Sequence, residues 1–154
     1  MKLLFSLLCG LTLFLTVGCG AEADDFCANR ISIEQYIEDT NQAAEGTIIE
    51  HESGLRYIIF EEGSEERAQL TSIVDCEYEG KLTNENVFDG GRITTIPLGN
   101  LIEGWRIGLQ QIGAGGRMRL FIPSELGYGS RRSGQICANS DLVFDVTLNT
   151  WIDN

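Results

Sequence analysis

Pro97-Leu98-Gly99-Asn100-Leu101-Ile102-Glu103-Gly104-Trp105 is the segment on which the reading of this chain turns. Leu101, Ile102 and Trp105, followed by Leu109 and Ile112, recur at helical spacing. Asn100 is a candidate N-cap and Gly113 a candidate stop. On either side the period changes from helical to alternating. Upstream, Leu55-Arg56-Tyr57-Ile58-Ile59-Phe60 is rich in β-formers and ends at Gly63, and Ile73-Val74-Asp75-Cys76-Glu77-Tyr78 ends at Gly80. Downstream, Met118, Leu120 and Ile122 alternate with Arg117, Arg119 and Phe121 until Pro123 stops the strand. Leu142, Phe144, Val146 and Leu148 then alternate with Val143, Asp145, Thr147 and Asn149. Each strand thus has one face for a core. One short helix among several alternating strands predicts an α+β fold, with a sheet packed on that helix.

The segment also belongs to an ordered series. Tyr78-Glu79-Gly80 and Val87-Phe88-Asp89 precede it. Gly115-Gly116-Arg117-Met118-Arg119-Leu120-Phe121-Ile122-Pro123, then Tyr128-Gly129, then Leu142-Val143-Phe144-Asp145-Val146 follow. Together, at compatible spacings, these pieces resemble the FKBP-type peptidyl-prolyl cis-trans isomerases from roughly Gly54 to Thr150. The resemblance implies an antiparallel, strongly bent sheet wrapped around the short helix, in an isomerase domain over 47–152. It implies proline-containing polypeptides as substrates and macrolides as further ligands. It also implies a pocket in which Trp105 is the floor under the proline ring and Tyr78, Phe88 and Phe144 are walls. Leu101 and Ile136 complete the lining. The Tyr128 hydroxyl and the Ile102 N–H hold substrate carbonyls, and Asp89 polarises the pocket edge rather than acting as a base. Asp89, Tyr128 and Trp105 are the implied catalytic set.

Some positions depart from the family pattern. Gly90 to Thr95 is shorter than in many members, and Thr94 or its neighbour stands where an aromatic often reaches toward the ligand. Ile96 occupies another position that is often Phe. Ile136-Cys137-Ala138-Asn139 replaces the usual Ile-Pro-Pro-Asn. The floor is retained while the rim differs, which bears on substrate preference and macrolide affinity more than on basic activity. A non-catalytic module that holds proline-containing segments in the same groove is the alternative, and the residues alone do not separate the two.

Rotation about an X–Pro bond meets a barrier of about 18–20 kcal/mol because the twisted amide loses resonance. No bond is made or broken, so the chemistry needs no cofactor, metal, nucleophile or acid–base pair. The rest of the sequence offers little for other chemistries. His51 is the only histidine and lies between Glu50 and Glu52, a surface setting. The cysteines lack C-x-x-C spacing. Gly113-Ala114-Gly115-Gly116 opens a strand and has no Lys-Ser/Thr partner, so it is a turn rather than a phosphate cradle. With 11 basic and 23 acidic residues the net charge is -12, which argues against nucleic acid or an anionic membrane patch as partner. Glu61, Glu62, Glu65 and Glu66 read as a solvated turn. A single domain and a monomer are expected.

The N-terminal region reads differently. Lys2 followed by the apolar run Leu3 to Val17 is too short for a span of about 20 residues and reads as an export signal over 1–18. Leu15-Thr16-Val17-Gly18-Cys19 resembles a bacterial lipobox, with Thr16 where Leu is usual. Cys19 is then the lipid attachment site, the anchor to a membrane, and Gly20 after it permits sorting to the outer membrane, facing the periplasm. Ordinary secretion with cleavage after Ala21-Glu22-Ala23 is the rival. Residues 19–30 would be a lipid-bearing tether. A helix is expected over 31–46, with Ile33, Tyr36 and Ile37 on one face, Ser32 as N-cap, Gln35 completing a capping box and Gly46 ending it. Its expected role is to pack on the domain. Cys27, Cys76 and Cys137 remain for an oxidising compartment, so three pairings are open. Cys76 shares the inward face of its strand with Tyr78. Against the family pattern, Cys27 lies in an addition and Cys137 in a flap departure, which makes Cys27–Cys137 the expected bridge.

Overall fold

The computed structural model describes residues 25–153; the expected export signal, Cys19 and the first part of the expected tether lie outside the described residues. Two helices, α1 (Ile33–Asp39) and α2 (Glu103–Gly108), accompany six strands. The strands are β1 (Ile49–Glu50), β2 (Arg56–Glu61), β3 (Ile73–Leu82), β4 (Val87–Pro97), β5 (Gly116–Ile122) and β6 (Leu142–Ile152). They form one sheet in the order β1-β2-β5-β6-β3-β4, antiparallel throughout. The α+β architecture follows the alternating strands and the single central helix.

One face of the sheet packs on α2. Val74, Cys76, Leu82, Met118, Leu120, Ile122, Leu142, Val146 and Leu148 gather there with Trp105, Leu109 and Ile112 in a continuous core. The helix can sit this close because glycines face the sheet. A Cβ on Gly104 would lie 2.6 Å from Ile122, and one on Gly108 2.5 Å from Leu120.

The helix boundaries differ from the spacing-based expectation. Asn100 is not the N-cap: it closes a 3-10 turn, Leu98–Asn100, and Ile102 caps α2 without a side-chain bond. The turn is spent on anchoring. Leu98 is fully buried, and the Leu98 and Gly99 N–H groups donate to the Ser72 and Leu70 carbonyls at 2.9 and 2.8 Å. At the other end α2 gives way to a 3-10 turn, Leu109–Gln111, before Gly113. β3 also continues through Gly80 rather than ending there.

The opposite face of the sheet is covered as well. Ile58, Phe121 and Val143 point away from α2, yet they are buried under Ile33 and Tyr36 of α1. The alternation in β5 therefore does not mark Phe121 as outward: both faces of this strand are apolar contacts, the second supplied by the N-terminal segment. The Ser32 hydroxyl accepts the Gln35 N–H at 3.3 Å, so the N-cap forms. The reciprocal half of the capping box does not, because the Gln35 amide donates to Asp39 at 2.7 Å. The helix ends at Thr40 rather than Gly46. Asn41 takes a left-handed φ of 51° and a 3-10 turn, Gln42–Ala44, follows. Arg119 on β5 holds that turn, donating to Glu45 at 2.9 Å while pairing with both oxygens of Asp145 at 2.7 and 2.9 Å.

Residues 25–30, expected within a tether, are fastened to the domain. Asn84 and Asn86 donate to the Phe26 carbonyl at 3.0 and 2.7 Å, and Ile31 exchanges two hydrogen bonds with the Thr83 hydroxyl. A disulfide joins Cys27 to Cys137.

Tyr36→Ala tests how much the outer cluster matters. Tyr36 is buried against Phe121, with ring centroids 6.3 Å apart, and its hydroxyl donates to Glu85. The substitution is expected to cost about 3–5 kcal/mol, read as a fall in urea midpoint with unchanged slope. A loss below about 1 kcal/mol would make α1 a peripheral appendage.

Candidate active site

Four aromatic side chains from four elements meet beside α2. Tyr78 comes from β3, Phe88 from β4, Trp105 from α2 and Phe144 from β6. Trp105 meets Tyr78 and Phe144 edge to face, each at 5.3 Å between centroids, and Phe88 meets Phe144 the same way at 5.5 Å. Edge-to-face contact is a favoured arrangement because the positive edge of one ring meets the negative face of the other. A cavity of about 100 Å³ is bounded by these four rings with Asp89, Ile93, Leu101, Ile102 and Tyr128.

Gly80 makes the packing of the walls feasible. It lies within β3, where a Cβ would stand 2.5 Å from Phe144 and 2.8 Å from Phe88. The position is glycine because two rings already occupy the side-chain space.

The polar groups lie at the rim. The Tyr78 hydroxyl donates to Asp89 at 2.8 Å, and the Gly90 N–H donates to the other carboxylate oxygen at 2.9 Å. Burial pushes the Tyr78 hydroxyl up to about 12, and the hydrogen bond and charge of Asp89 add to the rise. Burial, with the Asp89 charge behind it, likewise raises Tyr128 above an ordinary tyrosine. Both phenols therefore remain donors at neutral pH. Ile102, as the cap of α2, gives its carbonyl to the Trp105 and Arg106 N–H groups at 3.0 and 3.1 Å, while its own N–H has no partner among the described residues.

Tyr128 stands on a flap between Ser124 and Asp141. The Ser124 N–H donates to the Asp141 carboxylate at 2.9 Å, the Gly129 N–H to the Ser124 carbonyl at 2.8 Å, and the Asn139 N–H to the Gly129 carbonyl at 2.8 Å. Ser133 and Ile136 pair across the tip.

Residues 64–149 match the family model of the FKBP-type peptidyl-prolyl cis-trans isomerases. The chain belongs to the FKBP family. It is 38% identical over 133 residues to the FKBP-type isomerase FkpA of Aeromonas hydrophila, covering 83% of this chain and 49% of the relative. It is 36% identical over 129 residues to the probable FkpA of Neisseria meningitidis, covering 80% and 47%. The chain thus spans about half the length of the curated relatives it matches. Among solved structures, FkpA from Escherichia coli superposes with a TM-score of 0.68 at 31% identity, over 77% of this chain and 58% of that one. An isomerase from Pseudomonas syringae gives 0.64 at 25% identity, over 79% and 96%.

Set against the FKBP pattern, the cavity brings together Tyr78, Phe88, Asp89, Leu101, Ile102, Trp105, Tyr128 and Phe144. Ile136 is not among the lining residues; it is buried in the main core. Ile93 is an addition. Here β4 runs unbroken from Val87 to Pro97, and Ile93 reaches the cavity from the short stretch where an aromatic is usual. Ile93 is the only large apolar residue between Gly90 and Thr95, and that was the available signal. The sequence pattern ends a strand at Gly80, and no local pattern reveals the rings that press on it.

Proposed function

We propose that this chain is a peptidyl-prolyl cis-trans isomerase acting on proline-containing polypeptides and assisting the folding of exported proteins. The observation that carries the reading is the apolar box of Tyr78, Phe88, Trp105 and Phe144, with hydrogen-bonding groups confined to its rim. Catalysis of a rotation requires only that the twisted amide be bound better than either planar form. The planar amide is the more dipolar species, so transfer from water into an apolar box penalises it more. Trp105 receives the proline ring. The Tyr128 hydroxyl and the unpartnered Ile102 N–H take the carbonyls flanking it, and Asp89 orients the Tyr78 hydroxyl and keeps negative charge at the rim. The same box accounts for macrolide ligands, with Ile93 and Ile96 in place of rim aromatics weakening their binding. The domain works as a monomer in this reading.

The test is relaxation of an Ala-Pro tetrapeptide after a solvent jump, with the chain lacking residues 1–19. Acceleration over the uncatalysed tens to hundreds of seconds is expected. Peptide binding without acceleration would favour the non-catalytic reading. The rate should also be level across about pH 6 to 9, since both tyrosines keep their protons there. Because the folded Tyr78 value is raised from 10.0 to about 12, its contribution to stability is fully present below pH 10 and is lost as pH rises toward 12. A loss of stability beginning below about pH 8 would contradict this.

We further infer export and anchoring to the outer membrane, facing the periplasm, through a lipid on Cys19. The apolar run before Gly18-Cys19 and a disulfide suited to an oxidising compartment support it. No helix among the described residues is long and apolar enough to cross a membrane. Cys19→Ser is expected to move the protein from the membrane to the soluble fraction. If variant and parent fractionate alike as soluble protein, secretion after Ala23 is the better account.

A further inference from the structure

The flap carries a charge that the isomerase reading does not use. Among the described residues, every other lysine and arginine is held. Most are in ion pairs with acidic neighbours. Arg30 is taken up by the Cys27 carbonyl and the Ser140 hydroxyl. Arg132 donates to the Gly134 carbonyl at 3.2 Å and reaches the Cys137 sulfur at 3.8 Å. Arg131 alone has a guanidinium with no ion pair or hydrogen bond among the described residues, and it is exposed.

Its position is set by the backbone. The Arg131 N–H donates to the Tyr128 carbonyl at 3.3 Å, so the cation sits one turn from the tyrosine at the mouth of the pocket. Tyr128 lines both the apolar cavity and a second, open concavity of about 520 Å³ that holds Arg131, Arg132 and Glu125. Tyr128 thus borders both spaces, the apolar box on one side and the concavity that holds Arg131 on the other. The flap is tied down by the Cys27–Cys137 bridge and by the Asn139 and Ser124 bonds, so the charge is carried on a fixed turn.

The rest of the chain makes this charge unusual. A protein of net charge -12 repels acidic segments at a distance. Beyond a Debye length of about 8 Å that repulsion is screened, so a cation touching the bound chain decides the local preference. We propose that Arg131 is a specificity residue that selects polypeptides with a carboxylate side chain flanking the proline on the flap side. This rests on the isomerase reading of the pocket. Glu125 shares the concavity and opposes the effect, so its removal should strengthen the preference.

The experiment uses the full chain and fluorescently labelled tetrapeptides with Glu, Ala or Lys before the proline, and a second set with the same residues after it. Both kcat/KM for isomerisation and Kd from anisotropy are measured at low and high salt. At one of the two positions Glu should be preferred over Lys by about 3–10-fold, chiefly through KM, with the ratio shrinking toward 1 in high salt. Arg131→Ala should abolish the ratio while leaving turnover of the Ala peptide unchanged. Arg131→Glu should invert it, Arg131→Lys should restore most of it, and Glu125→Gln should raise it. If no peptide is turned over, the isomerase reading fails, and the Kd ratios still test the charge preference. Equal values for Glu and Lys peptides at both positions, or a preference that survives Arg131→Ala and disappears in Arg132→Ala, would overturn the assignment.

Discussion

Trp105→Ala is expected to lower kcat/KM for a prolyl peptide by about 30- to 100-fold. A proline ring presents three methylenes, and burying each is worth about 0.8 kcal/mol, which converts to a loss of that order when the floor is removed. The indole is almost fully buried and touches two walls of the box, Tyr78 and Phe144. The truncation therefore also costs about 3–5 kcal/mol of stability and needs a companion that folds more readily. Trp105→Leu keeps much of the volume and loses the edge-to-face geometry, so its activity should fall between the two. Tyr128→Phe should be milder still. It removes one hydrogen bond worth about 1 kcal/mol, roughly 5-fold, from a rim residue that is already exposed. Equal kcat/KM in the wild type and in folded Trp105→Ala or Trp105→Leu would remove Trp105 from the site.

Breaking the Cys27–Cys137 bridge should produce the largest change in stability. The two residues are 110 apart in sequence, and releasing a loop of that size returns about 4–5 kcal/mol of chain entropy to the unfolded state. In the Cys27→Ser, Cys137→Ser double variant the urea midpoint should fall accordingly. The slope should rise, because the unbridged unfolded chain exposes more surface. The folded state should change less than the midpoint implies, since the Asn84, Asn86 and Thr83 bonds and the Arg30–Ser140 contact still hold the N-terminal segment. Cys76 does not compete for pairing. It is fully buried, and burial, reinforced by the Asp75 charge, pushes its thiol up to about 12. It should resist alkylation in the folded protein. An unchanged midpoint in the double variant, or a peptide map that places Cys76 in a bridge, would contradict this arrangement.

What could be read from the sequence was what local pattern carries. The period of two in Met118, Leu120 and Ile122 and the helical period from Leu101 to Ile112 report which side of an element seeks an apolar partner. Periodicity points to an α+β fold, and the resemblance to the FKBP pattern, not the periodicity, named most of the residues that line the cavity. Only the tertiary structure decided what stands opposite each face. Phe121 reads as outward until α1 covers it, and Gly80 reads as a strand end until two rings fill its side-chain space. Asn100 has the chemistry of an N-cap, but burying Leu98 spends it in a 3-10 turn. Ile93 lines the cavity from β4, while Ile136 is buried in the main core and is not among the lining residues. Periodicity records the exposure of a segment along its own axis. Contacts between segments far apart in the chain exist only once the sheet has closed, and the walls of the pocket are contacts of that kind.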